Sequence, residues 1–180
     1  EMLPALLRHN EILEEQIAGH GGRILELRGD GVKAVFEGAD PLGCVLAIQR
    51  AFGGQDWGAV GDVRIRIGLH GVPPEGEGQD YFLKGDQYYG PALHLGARVM
   101  EAGHGGQILV SERVRNSFPL PPEATWQDWG EYELRGVEEP LRIFGLLHPD
   151  LVRQEFPPLR TARMEAEHPE PLAEALPIER

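Results

Sequence analysis

Leu3, Leu6, Leu7, Ile12, Leu13 and Ile17 recur mostly at helical spacing, with Arg8, Glu11, Glu14 and Glu15 largely on the other side. That pattern predicts an amphipathic helix over residues 3–18, stopped by the glycine-rich turn Gly19-His20-Gly21-Gly22. From Leu25 to Phe36 two alternating runs flank Asp30-Gly31, which predicts a tight hairpin. Leu25 and Leu27 then share one face, and Glu26, Arg28 and Asp30 the other. On these grounds alone Asp30 reads first as a turn aspartate on a solvated face. Leu42, Val45, Leu46 and Ile48 predict a second helix over Pro41–Phe52, and Val63, Ile65, Ile67 and Leu69 alternate as a half-buried strand. Residues 71–88, rich in glycine, proline and acid, read as a mobile arm.

A third helix is predicted over Pro91–Ala102, with its proline in the first turn where no amide hydrogen bond is lost. It ends in Ala102-Gly-His-Gly-Gly-Gln-Ile-Leu109, a near copy of Ala18-Gly-His-Gly-Gly-Arg-Ile-Leu25. The same turn therefore feeds a helix into a strand twice, as an α/β sandwich requires. Ile108–Val110 is that second strand, Ser111-Glu112 caps a short helix reaching Phe118, and Leu141–Leu147 forms the last strand. Trp126, Trp129, Tyr132 and Leu134 gather around a turn at Gly130. Prolines at 149, 157, 158, 169, 171 and 177 mark a change of texture, so residues 3–150 are expected to form one domain and 151–180 a proline-rich linker or tail.

Composition narrows the partners. A formal charge of -12 over 180 residues disfavours nucleic acid and anionic membranes, whose binding is driven by cationic neutralisation of phosphate. Cys44 is the only cysteine, so no internal disulfide or CxxC pair exists and a reducing, cytoplasmic setting is expected. No apolar run reaches the roughly 18 residues of a membrane span. There is no GxxxxGK[ST] loop, HExxH helix or GxSxG elbow. His20 and His104, in the matching glycine turns, read as capping or packing residues.

Taken in order, the first helix, AGHGGR, the GDG hairpin, RIRIGLH, GPALHLGARVMEAGHGGQILVSE and WGEYELRGVEEPLRIFGLLHPDL resemble the class III adenylate/guanylate cyclase family, in particular bacterial cyclase-homology modules fused to further signalling domains. The resemblance implies an α+β fold, a ferredoxin-like antiparallel sheet with helices on one face. Two such domains would pair head to tail as a homodimer around a purine nucleoside triphosphate. It implies attack of the ribose 3'-hydroxyl on the α-phosphorus with release of pyrophosphate, assisted by two Mg or Mn ions on two carboxylates.

Asp30 matches the second of those metal carboxylates. The first belongs to a strand ahead of the first helix that this sequence does not contain, and that strand is expected upstream of Glu1. Glu26, four residues before Asp30, matches a base-reading position, where a carboxylate can accept hydrogen bonds from guanine; a plain surface glutamate fits as well. The second base-reading position falls on Gln87, beside Asp86. The transition-state pair falls on His94, where the family has asparagine, and Arg98. The residue gripping the terminal phosphates falls on Arg135, where the family has lysine. After His70 the sequence continues Gly71-Val72 instead of the family's threonine-glycine. These departures lead us to expect a weak or inactive cyclase domain, the alternative being a non-catalytic nucleotide-binding or dimerisation module.

Overall fold

The computed structural model describes residues 2–161. The chain begins with α1 (Met2–Gly19), β1 (Gly22–Arg28), β2 (Gly31–Phe36) and α2 (Pro41–Gly54). Then come β3 (Ile67–Leu69), β4 (Phe82–Lys84), β5 (Gln87–Tyr89) and α3 (Pro91–Glu101). It continues through β6 (Ile108–Ser111), α4 (Glu112–Ser117), β7 (Thr125–Tyr132) and β8 (Leu141–Leu147). The expected α+β fold is present. None of the helices among the described residues is long and apolar enough to cross a membrane.

α1 and α2 form one cover. Ile12, Leu13 and Ile17 meet Cys44, Ile48 and Phe52, and this cluster lies on Ile24, Val32, Ala34 and Phe36 of the β1–β2 hairpin and on Val63, Ile65 and Ile67. Asp40 fixes the start of α2: its carboxylate accepts from the Gly43 amide at 2.8 Å, with Pro41 in the first turn.

The larger sheet runs β3-β6-β8-β7. Ile108, Val110, Phe144 and Leu146 pack against Leu42, Val45 and Leu46 of α2, whereas Leu109 and Ile143 pack against Val99 of α3 and Ala102 just after it. Successive strand residues point to opposite faces, so α3 lies on the face away from α2. Two details thus differ from the antiparallel sheet with one helical face expected above: helices cover both faces, and β3 runs parallel to β6. Gly68 permits the α3 contact, because a Cβ there would sit 2.3 Å from the Met100 amide nitrogen.

The hairpin is a separate two-stranded sheet. Among the described residues β2 pairs only with β1, and β3 only with β6. Under the common α1–α2 cover, each therefore keeps one edge without a strand partner. This explains why the alternating run from Val63 enters the ladder only at Ile67. Residues 151–161 contain neither helix nor strand, but Leu151 and Leu159 are buried against the body. The rest of the expected tail lies outside the described residues.

Candidate functional site

Arg28 pairs with Gly31, so the two-residue turn is Gly29-Asp30, with Gly29 at φ 61. A glycine at the first turn position and an ordinary φ at the second is the type II′ arrangement, one residue earlier than the Asp-Gly turn read from sequence. Asp30 therefore stands exposed at the tip. A register shift between Ile24 and Glu26 absorbs Leu25 as a bulge. Leu27 does point towards the helical side, opposite Val32, but at the tip it remains 40% exposed.

Glu26 faces Lys33 across the hairpin, Oε2 to Nζ at 2.6 Å, with Arg28 Nε at 3.9 Å from its other oxygen. The hydrogen bond from Lys33, then its charge, hold the Glu26 carboxyl below its ordinary range, and Arg28 adds to this. Gln87 is exposed on β5, in a short β4–β5 hairpin within the arm. That arm is tied to β1: Arg23 Nη1 donates to the Asp86 carbonyl at 2.9 Å and stacks 5.7 Å from the Tyr88 ring, whose hydroxyl bonds Glu37. The arm that carries Gln87 is thus tied to the open end of the hairpin, whereas Asp30 stands at its tip.

His94 and Arg98 stand one helical turn apart on α3, with His94 exposed. Arg98 Nη1 pairs with Glu101 Oε2 at 2.5 Å. Arg98 and Arg135, the latter in the β7–β8 loop, line one cavity of about 180 Å³ together with Glu101, Ala102, Leu134, Arg160 and Thr161. The described structure therefore divides the sequence-derived residues between two places, hairpin and helix. Glu101 and Arg160 were missed. Glu101 carries the signal of an i,i+3 acid beside Arg98, whereas Arg160 lies in a proline-flanked stretch whose sequence gives no local sign of folding back.

Among the described residues no group of three or more His, Cys, Asp or Glu side chains is arranged to hold a metal ion. The family uses Mg or Mn, but these residues, with Asp30 as the sole matching carboxylate, do not by themselves fit a two-ion site. His20 bonds its own helix at the Gln16 carbonyl, 2.8 Å, and His104 bonds the Pro158 carbonyl at 2.9 Å. His70, at the end of β3, has a buried Nδ1 without a partner among the described residues. Burial, and secondarily the Arg113 charge, lower its pKa to about 4 against the opposing pull of Asp80.

The architecture is shared with solved cyclase structures. One of adenylate cyclases from Trypanosoma brucei in their monomeric state matches with a TM-score of 0.71 over 91% of this chain and 85% of that one, at 18% identity. The adenylate/guanylate cyclase/hydrolase from Silicibacter pomeroyi matches with a TM-score of 0.63 over 79% and 82%, at 26% identity. This chain has the class III cyclase fold. In sequence it is 34% identical over 168 residues to an uncharacterised protein of Mycobacterium tuberculosis, covering 91% of this chain and 54% of that protein. It is 23% identical over 152 residues to putative adenylate cyclase 3 of Rhizobium meliloti, covering 83% and 25%. The chain thus spans about half the length, or less, of these curated relatives. No family model matches it.

Proposed function

We propose that two copies of this chain pair head to tail and bind a purine nucleoside triphosphate at their seam, in the reducing cytoplasm, as the weakly active or inactive cyclase domain of a signalling protein. The observation that carries this reading is the division of the site: Arg98 and Arg135 share one cavity, while Asp30 and Glu26 project from the separate hairpin. Each half is incomplete alone, and a head-to-tail pair would bring the hairpin of one copy to the arginines of the other. Arg98 would meet charge on the α-phosphate and Arg135 the terminal phosphates. Turnover would join the ribose 3'-oxygen to the α-phosphorus and break its bond to the pyrophosphate group, the hydroxyl proton passing to solvent.

Two observations favour weak turnover. His94 stands where a neutral amide would meet the ribose, and Glu26 is already paired with Lys33. The open edges of β2 and β3 offer a seat for one further strand, proposed to precede Glu1 and to bring the second carboxylate. Residues beyond 161 are proposed to lead to the fused signalling domain. The test is a cyclase assay of the full-length protein with Mn and either GTP or ATP, beside a binding titration on the same sample. We expect saturable binding and little or no cyclic nucleotide. Turnover at ordinary enzyme rates, abolished in Asp30→Ala, would reject the weak-turnover reading, and absence of any nucleotide binding would reject the proposal as a whole.

A further inference from the structure

We propose that Arg160 is a third phosphate-binding side chain of the Arg98–Arg135 cavity, delivered there by the segment Phe156–Thr161 folding back across the domain. This inference rests on the triphosphate reading and extends it to a residue outside the strands and helices of the cyclase fold. The segment is held by its backbone and by burial, not by the arginine. The Arg160 amide donates to the Ala102 carbonyl at the end of α3, 2.8 Å. Thr161 Oγ1 donates to the Glu133 carbonyl at 2.8 Å. Leu159, between the two prolines and Arg160, is 6% exposed and packs in the cluster of Val99, Ala102, Leu109, Tyr132 and Leu134.

With the backbone fixed, the Arg160 side chain is aimed by His104. Its Nε donates to His104 Nδ1 at 3.3 Å, while His104 Nε2 donates to the Pro158 carbonyl at 2.9 Å. The two Nη amines have no hydrogen-bond or ion-pair partner among the described residues and remain as a fork of donors. Arg160 lines the same cavity as Arg98 and Arg135, with Glu101 as the one acidic residue. In a chain of formal charge -12, a concave site lined by three arginines and one glutamate is a local reversal of sign. Such a site focuses an anion.

The ligand class follows from the size. About 180 Å³ is below the roughly 300 Å³ at which whole small-molecule pockets begin, so the cavity takes the phosphate chain and leaves base and ribose outside. Condensed phosphates suit three forked donors because each unit offers several acceptor oxygens. Arg98 reaches the chain by exchanging Glu101 for a phosphate oxygen or by using its remaining amines.

The experiment is calorimetric titration of the whole chain with inorganic tripolyphosphate and, separately, GTP. It compares wild type with Arg160→Gln, Arg160→Lys and Arg135→Gln, each checked by thermal melting. Arg160→Gln keeps the backbone bond to Ala102 and the buried Leu159, so its melting temperature is expected to hold while both ligands bind about tenfold more weakly. Arg160→Lys should recover part of that loss, and added salt should narrow the gap between wild type and Arg160→Gln. Wild-type affinity in Arg160→Gln, with Arg135→Gln impaired, overturns the role of Arg160 and leaves the triphosphate reading standing. No binding of either ligand by wild type overturns that reading and this inference with it. A loss that Arg160→Lys does not reduce, accompanied by a lowered melting temperature, overturns the phosphate contact in favour of a structural role.

Discussion

Two residues report on how local chemistry constrains the site. Glu26 can read a base only with a carboxylate lone pair to offer, and Lys33 already occupies one oxygen at 2.6 Å. Replacing Lys33 by Met removes the hydrogen bond and charge that lower the Glu26 pKa. The Glu26 titration, followed by NMR at its side-chain carbon, should then move upward, and any preference for GTP over ATP should increase. An unchanged Glu26 titration would show that the pair is not formed in solution. His70 carries a larger pH effect. In the folded chain its pKa is lowered to about 4 from an ordinary 6.5, so the native state stays neutral while the unfolded state takes up a proton. The stability this represents is complete above pH 6.5 and is lost as pH falls towards about 4, roughly 3 kcal/mol in all. Urea unfolding across that range should therefore lose less stability in His70→Gln than in wild type. Parallel losses would place His70 in solvent.

At the scale of elements, helices were the most legible. Three amphipathic patterns with proline starts or glycine stops gave α1, α2 and α3 to within two residues at each end, because the helical period and its punctuation are written locally. The last strand was legible for the same reason. The arm hairpin and the continuity of β7 were not. β4 and β5 are three residues each and mostly exposed, leaving little apolar alternation to detect. β7 continues past the expected turn because the irregularity between Asp128 and Gly130 is a bulge that keeps its pairing with β8. Placement of α3 on the second face was hidden in Gly68, whose role depends on a helix some thirty residues later. Gly68→Ala should cost about 1–3 kcal/mol in urea unfolding, the usual penalty for an added methyl group in a packed contact. It should also weaken triphosphate binding, because it pushes at the Met100 backbone two residues beyond Arg98. Wild-type stability and binding together would mean that α3 is not held against β3 in this way.

At the scale of the molecule, the candidate site was half legible: residue types and order pointed to Asp30, Glu26, Gln87, His94, Arg98 and Arg135, but their division between hairpin and helix appears only once the chain is folded. That division gives a test independent of turnover. In a head-to-tail pair each seam takes Asp30 from one copy and Arg98 from the other. A chain carrying Asp30→Ala and a chain carrying Arg98→Ala are each expected to lose most triphosphate binding measured with Mn present. In a mixed pair one seam receives both substitutions and the other receives neither. Random mixing makes about half of the pairs mixed, each with one intact seam, so about a quarter of all seams should regain wild-type affinity. Calorimetry of the equimolar mixture should show that fraction of high-affinity sites, and dilution below the dimer dissociation constant should abolish it. If each copy held its own complete site, mixing would restore nothing at any concentration, and the shared seam would have to be abandoned even if the nucleotide itself bound.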